Sequence, residues 1–224
     1  VHTCVLFSLI AGVIVGLIGI FFVKDALILM DTHEDILDMS ALYLQIIFVG
    51  TPFMLFYNFA AGILRATGDT KRPFYILVIS GAVNVILNIF FVAVLHMSVA
   101  GVALATTIGS VINAACGFYL LANSGDSIRL TVRELKIHGD KLKKVLNYGI
   151  PSGIQGLLFS VSNVIIQSAV NSFHDVAVVG GSSASSSIEG FMYTAMNAVA
   201  VTALNFAGQN YGARQYKRVD KVLI

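Results

Sequence analysis

Residues 5–23 read VLFSLIAGVIVGLIGIFFV, and this stretch decides the fold class. It is apolar on every face of a helix, with Ser8 as its one polar side chain. A helix needs roughly 20 residues to cross about 30 Å of hydrocarbon. A membrane β-barrel would instead show segments of about ten residues in which polar and apolar side chains alternate. The stretch therefore predicts a transmembrane helix and excludes a barrel.

The composition extends this prediction to the whole chain. Of the 224 residues, 57% are hydrophobic and 12% are charged, whereas about 25% are charged in a typical soluble domain. Long apolar runs recur near residues 1–23, 41–64, 73–96, 100–122, 148–172 and 183–206. We therefore predict an all-α polytopic membrane protein with six transmembrane helices. Because the first run lacks an initiator Met and the last basic segment stops abruptly, we expect a fragment of a longer protein.

The basic residues are distributed unequally between alternate loops. Lys and Arg are enriched in short cytoplasmic loops of membrane proteins. One set of loops holds only Lys24. The other set holds Arg65, Lys71, Arg72, Arg129, Arg133, Lys136, Lys141, Lys143, Lys144, Arg214, Lys217, Arg218 and Lys221. We therefore expect an integral protein of the plasma membrane, which is the inner membrane in a bacterium, with both ends of the chain cytoplasmic.

One predicted cytoplasmic segment, residues 123–147, has a soluble composition. Its basic stretch DKLKKVLNYGIP could lie as a short helix on the anionic leaflet. We predict that this segment connects two helical bundles. Residues 1–122 then supply four helices to the first bundle, and residues 148–224 supply two helices and a cytoplasmic tail to the second.

Catalytic and metal-binding motifs are missing from the sequence. Cys4 and Cys116 lie within apolar runs, where a thiol acts as a small hydrophobic group, and the five His residues show no paired spacing. We find neither GxSxG nor HExxH. We predict no enzymatic activity, no metal, no cofactor and no nucleic-acid partner.

Polar side chains inside the apolar runs are the candidate functional residues, because such groups are costly at membrane depth and tend to face a bundle interior. Asn84 and Asn88 are one helical turn apart in the third run, and Thr106 and Asn113 share a face of the fourth. Hydrogen bonding between packed helices is the plain interpretation of such residues. For Asn113 we favour that interpretation.

The fifth and sixth runs carry further candidates. Ser160, Asn163, Gln167 and Asn171 form a stripe on one face of the fifth run, which either lines an aqueous cavity or joins two helices. Glu189 is the one charged residue within a predicted span, and Tyr193 and Asn197 follow it at intervals of four. A carboxyl there suits a group that exchanges protons or binds a cation. The alternative is a hydrogen-bonded structural Glu near the interface.

These residues lie among sequence pieces that resemble the multidrug and toxic compound extrusion (MATE) family of transporters. The pieces are ILRATGDTKRP at 63–73, NVILNIFFV at 84–92, VAGVALATTIGS at 99–110, YGIPSG at 148–153 and FAGQNYGARQYKR at 206–218. The resemblance covers essentially the whole chain and lies in the order and spacing of the pieces.

The resemblance implies twelve helices in two lobes around a central cavity, of which this chain resembles helices three to eight. In many members an acid on the first helix and three polar residues form a cation or proton site in the first lobe. The three polar positions match Asn84, Asn88 and Thr106, although the second is often Asp. A Glu of sodium-coupled members corresponds to Ser160, which weakens a sodium site there. The GQNYGA segment would be a cytoplasmic loop.

We therefore predict a secondary antiporter that exports organic, often cationic compounds in exchange for H⁺ or Na⁺. Its partners would be small organic substrates and membrane lipids, and the full-length chain would act as a monomer. The candidate cavity residues are Asn84, Asn88, Thr106, Asn163, Gln167, Glu189, Tyr193 and Asn197. A flippase for a lipid-linked precursor is the alternative, but no Lys or Arg lies within a predicted span to bind its pyrophosphate. An intramembrane enzyme or a scaffold is a more distant rival.

Overall fold

The fold is built from helices and their connecting turns in the part of the chain that the structure describes. The computed structural model describes residues 1–29, 34–125, 128–172 and 176–222. Its α-helices are α1 (His2–Leu29), α2 (Glu34–Ala66), α3 (Lys71–Ile89), α4 (Ser98–Ala122), α5 (Gly139–Asn171), α6 (Val176–Gly212) and α7 (Tyr216–Val222). A π-helical turn, Phe90–Val94, extends α3, and a short 3₁₀ turn covers Val132–Glu134. The predicted all-α class is confirmed.

Five of the described helices are long and apolar enough to cross a membrane. They cover His2–Leu29, Ile36–Ala66, Lys71–Val94, Ser98–Ala122 and Gly139–Val170. The sixth predicted span, 183–206, lies within α6, which has 37 residues but is not among the five. Its serine-rich start and its scattered amides interrupt the apolar residues of α6. The six-span count therefore stays a prediction.

Several helices extend beyond the apolar runs that predicted them. α5 begins at Gly139 rather than near residue 148, so the basic stretch around Lys143 belongs to the same helix as the fifth run. Pro151 consequently lies well inside α5 and not at its start. At the other end, GQNYG at 208–212 forms the last part of α6. The sequence predicted a loop for GQNYGA, but its first five residues are helical and a turn begins only at Ala213.

Close backbone contact holds α1 against α2. The buried side of α1 carries Gly12 and Gly16, spaced by one turn. A Cβ atom on Gly12 would lie 2.5 Å from Pro52 Cα, and one on Gly16 would lie 2.8 Å from the carbonyl oxygen of Phe48. Both distances are too short for real atoms. Only glycine permits this approach, which is the usual role of small residues between membrane helices.

The core of the first half lies between α1, α2 and α4. Its buried side chains are Val5, Phe56, Ala60, Leu64, Ala114, Leu121 and Leu130. Beside it, Tyr57 packs with Ala61 and Ile76, and its hydroxyl donates a 2.8 Å hydrogen bond to the Pro73 carbonyl. This bond fixes the start of α3 against α2. The α3 and α4 helices are then held side by side.

Part of the predicted connector is packed on the first half of the chain. Leu130 is only 4% exposed, and its N–H donates to the Leu121 carbonyl at 3.0 Å. The Thr131 N–H donates to His2 Nε2 at 3.1 Å, and the His138 N–H donates to Thr3 Oγ1 at 3.2 Å. Residues 128–138 therefore have tertiary contacts that a free linker lacks.

The chain divides into two compact units, Val1–Leu142 and Lys143–Ile224. The first unit contains α1 to α4 and the packed connector, and it holds the buried core. The second unit contains most of α5 together with α6 and α7. Most side chains of its helices are exposed within this chain.

Candidate functional site

A first polar cavity lies between α3 and α4 in the first unit. It has a volume of about 290 Å³. Its lining consists of Leu77, Ser80, Gly81 and Asn84 from α3 and Thr106, Gly109, Ser110 and Asn113 from α4. These residues recur every three or four positions on each helix, so one face of each helix contributes. The polar groups are all neutral amides and hydroxyls.

The hydroxyl groups of this cavity donate to their own helices. Ser80 Oγ donates to the Leu77 carbonyl at 3.2 Å. Thr106 Oγ1 donates to the Val102 carbonyl at 3.0 Å, and Ser110 Oγ donates to the Thr106 carbonyl at 3.1 Å. A hydroxyl has one donor and two lone pairs. These three oxygens therefore remain available only as acceptors.

The amide side chains of this region are only partly hydrogen-bonded. Asn88 Nδ2 donates to Asn84 Oδ1 at 3.0 Å, which fixes the two predicted residues as a pair. Asn88 Oδ1 and Asn113 Oδ1 are buried, and no described donor reaches either oxygen. Leaving a buried acceptor unpaired costs about 1–3 kcal/mol. Two such oxygens in one region indicate a place where a ligand or water supplies the missing donors.

A second polar cavity lies between α5 and α6 in the second unit. It has a volume of about 460 Å³. Its lining consists of Phe159, Asn163, Ile166 and Gln167 from α5 and Ser182, Ser186, Glu189, Gly190 and Tyr193 from α6. Glu189 is the one charged side chain in this lining. It is exposed within this chain, so the described residues do not bury the carboxyl as the sequence prediction assumed.

An aromatic pair separates this cavity from a neighbouring one. The rings of Phe159 and Tyr193 are stacked, with centroids 6.1 Å apart and an interplanar angle of 18°. Both residues also line an adjacent cavity of about 600 Å³, which includes Ser152, Gln155 and Ser162. The pair thus presents an aromatic surface to each cavity. Stacked rings of this kind bind planar apolar groups and cations.

Most of the predicted site residues line one of the two polar cavities. Asn84 and Thr106 line the first cavity, and Asn88 is bonded to Asn84. The second cavity is lined by Asn163, Gln167, Glu189 and Tyr193. Asn197 is exposed on α6 and does not belong to either lining. The side chain of Asn171, the last residue of the predicted stripe, lies outside the described part of the structure.

Several lining residues were not predicted. Ser80 and Ser110 lie four residues from Asn84 and Thr106, so helical spacing could have identified them. Asn113 was expected to bond a neighbouring helix, yet no described donor reaches its Oδ1. Phe159 had no sequence signal, because an apolar side chain facing a cavity resembles one facing lipid.

A cavity larger than either polar cavity lies elsewhere, at the turn between α2 and α3. Its volume is about 670 Å³, and its described lining consists of Leu64, Thr67, Gly68, Asp69, Lys71, Arg72, Asn123, Ser124, Gly125 and Ile128. Arg72 is paired there with Asp69 at 3.3 Å, and Asp69 Oδ1 also accepts from the Arg72 N–H. Since these charges satisfy each other, size alone does not make this cavity the better candidate site.

Comparison with known proteins identifies the family. The family model described as MatE matches residues 1–90 and 151–224. The chain belongs to the MatE family. The two matched ranges include all of α3, the part of α5 from Pro151 onward and all of α6. Membership makes the protein an integral membrane protein of a transporter family rather than an enzyme, as the sequence predicted.

Two curated relatives of this MatE protein come from Bacillus subtilis strain 168. The probable multidrug resistance protein YoeA is 30% identical over all of this chain and 50% of its own length. The probable multidrug resistance protein YpnP is 30% identical over 91% of this chain and 45% of its own length. The chain thus spans about half the length of the curated relatives it matches.

Solved structures support the same fold. A crystal structure of MATE in the bent conformation superposes with a TM-score of 0.82 at 22% identity, over 97% of this chain and 49% of the other. A MOP superfamily transporter from Pyrococcus furiosus gives a TM-score of 0.83 at 21% identity, over 97% of this chain and 48% of the other. These likenesses confirm the MATE-like helical architecture.

Proposed function

We propose that the whole protein is a secondary active antiporter that exports organic, often cationic compounds in exchange for H⁺ or Na⁺. The observation that carries this proposal is the second polar cavity, in which the Glu189 carboxylate lies beside the stacked Phe159 and Tyr193 rings. A carboxylate attracts a cation, and aromatic faces bind both apolar groups and cations. Such a lining suits amphipathic organic cations.

The first polar cavity supports the coupling half of the proposal. Asn84, Asn88 and Thr106 supply neutral oxygen atoms, which are ligands for Na⁺ but cannot carry a proton at neutral pH. If H⁺ drives export, the proton must bind elsewhere, and Glu189 is the candidate among the lining residues. With Na⁺ as the coupling ion, the first unit would bind the ion and the second unit the substrate, whereas with H⁺ both would bind at the second polar cavity.

For the whole protein we propose the two-lobed architecture that the family resemblance implies. Residues 1–122 would belong to the N-terminal lobe, 123–147 would connect the lobes, and 148–224 would begin the C-terminal lobe. Substrate would reach each side of the membrane by alternating access. The loops rich in Lys and Arg would face the cytoplasm, and the whole protein would act as a monomer surrounded by lipid.

A flippase for a lipid-linked precursor fits these cavities less well. Pyrophosphate recognition calls for Arg or Lys side chains. Neither basic residue type occurs in the described linings of the two polar cavities. The multidrug resistance names of the YoeA and YpnP relatives also favour export of organic compounds.

To test the proposed antiport, the full-length gene is expressed in drug-sensitive cells. Efflux of a cationic dye is followed while the proton gradient and the sodium gradient are collapsed separately. Antiport predicts that one of the two treatments stops efflux, and that treatment identifies the coupling ion. Efflux that survives both treatments would refute ion antiport.

A further inference from the structure

Asn113 lines the first polar cavity but is not among the three residues that match the cation site of the family. It lies on α4 two turns from Thr106 and on the same side of the helix. Its Oδ1 is buried, and no donor in the described ranges of the chain reaches it. The cavity therefore contains an unused amide oxygen outside the predicted set of Asn84, Asn88 and Thr106.

The surroundings of Asn113 determine what could satisfy that oxygen. The neighbouring hydroxyls of Ser80 and Ser110 already donate to backbone carbonyls. Their oxygens can therefore accept but not donate. The Asn113 oxygen therefore needs a partner other than these hydroxyls, namely a group that brings positive charge or N–H donors.

The charge of the lining narrows the class of ligand further. Sites for divalent cations are built with carboxylates, and the lining of this cavity has none. Neutral oxygens alone suit a monovalent cation. The ligand chemistry is therefore that of an inorganic monovalent cation or of an organic ammonium group.

We propose that Asn113, with Ser80 and Ser110, forms a second binding position for a monovalent cation in the cavity between α3 and α4. Thr106 and Asn113 are seven residues apart, which is about 10 Å along the helix. A cation could thus bind near Asn84 and Thr106 or farther along the same cavity near Asn113. This binding position adds a second cation site to the proposed antiporter, and its role in transport rests on that proposed function.

Direct binding to the purified full-length protein tests this position. Radiolabelled sodium ion and n-butylammonium are titrated separately, so that the two sources of positive charge are distinguished. The Asn113→Leu variant removes the amide oxygen and is expected to weaken binding of one probe about tenfold. The Asn113→Asp variant adds a negative charge and is expected to strengthen binding of the same probe.

Asn58→Leu is the matched control, because Asn58 is an exposed residue of α2 whose described hydrogen bond is to the Met54 carbonyl of its own helix. Unchanged affinity of Asn113→Leu for both probes would overturn the proposal, as would equal losses in both Leu variants. If Asn113→Leu does not fold, weakened or unchanged binding by Asn113→Asp overturns it. A wild-type protein that binds sodium through Asn113 but exports no drug would refute the antiport and leave this site standing.

Discussion

At the scale of single residues, the two polar cavities differ in charge. The first is lined by neutral groups, whereas Glu189 adds a carboxylate to the second. A carboxylate within an apolar helix pairs with whatever positive charge enters the cavity. Glu189 is therefore the residue whose replacement should change transport most.

Replacing Glu189 with Gln removes the charge and retains the size and hydrogen-bonding capacity of the side chain. We expect the rate of cationic dye efflux in everted vesicles to fall at least tenfold, because one charged interaction accounts for more than about 1.4 kcal/mol. Glu134→Gln is the control, since Glu134 lies in the 3₁₀ turn of the connector. Wild-type efflux by Glu189→Gln at every external pH would remove Glu189 from the mechanism.

Phe159 should govern selectivity rather than overall activity. Its ring stacks on Tyr193, and an aromatic contact contributes about 0.5–1.5 kcal/mol. We expect Phe159→Ala to raise the KM for a planar aromatic cation several-fold, because stacking and the cation–π contact are both lost, and to raise the KM for tetraethylammonium by a smaller factor, because only the cation–π contact is lost.

Phe191→Ala serves as the comparison for that measurement. Phe191 lies on α6 but is 82% exposed and outside the cavity linings described for that helix. It should leave both KM values unchanged. Equal effects of Phe159→Ala on the two substrates would contradict a selective aromatic surface.

The sequence predicted the polar members of these sites better than the apolar ones. Asn84, Thr106 and Glu189 were identifiable because a polar group at membrane depth requires a reason. Phe159 was not identifiable, because an apolar residue is expected both where a side chain contacts a ligand and where it faces lipid. Asn197 lies outside the described linings, since helical periodicity gives the face of a helix but not where a cavity ends along it.

At the scale of the helices, length and apolar content predicted most of the spans but few of their ends. α5 begins at Gly139 because helical hydrogen bonding continues through its basic stretch, past the point where the apolar run starts. The thickness of the membrane sets the length of an apolar run and does not stop the helix. The approach of α1 to α2 was likewise not predicted, since the sequence does not say which glycines meet a neighbour.

The contact at Gly12 provides a test of this helix pair. A methyl group there would overlap Pro52, so we expect Gly12→Ala to destabilise the full-length protein by about 1–3 kcal/mol. Gly62 lies inside α2 with no atom within 4 Å of its added Cβ. Gly62→Ala should therefore be neutral or stabilising by about 0.5–1 kcal/mol, as alanine is in helices. Thermal unfolding in detergent compares the two, and equal melting temperatures would disprove the tight contact.

At the scale of the whole chain, the boundary between the two units differs from the boundary that amino-acid composition suggests. The polar segment after α4 reads as a linker, but its residues 128–138 pack on the first unit. A buried leucine and a few hydrogen bonds are enough to hold the segment in place. The average composition of 25 residues does not reveal these few contacts. The assignment of the units to the two lobes of a transporter stays a prediction.

Leu130 should anchor the connector to the first unit. Removing a buried leucine side chain costs about 2–5 kcal/mol, so we expect Leu130→Ala to expose the connector and to speed trypsin cleavage at Arg129 and Arg133. Ile137, which is 39% exposed, provides the control variant Ile137→Ala. Equal cleavage rates in the two variants would show that the connector is not held by Leu130.

The glycine contact between α1 and α2 also limits how these helices can move. With Pro52 and Phe48 seated against Gly12 and Gly16, sliding one helix past the other by a full turn of about 5.4 Å would bring Phe48 against Ile20 in one direction, and Pro52 against Ser8 in the other. Either slide replaces a close glycine contact with a contact to a larger side chain. We therefore expect α1 and α2 to move together in the conformational change that carries cargo across the bilayer.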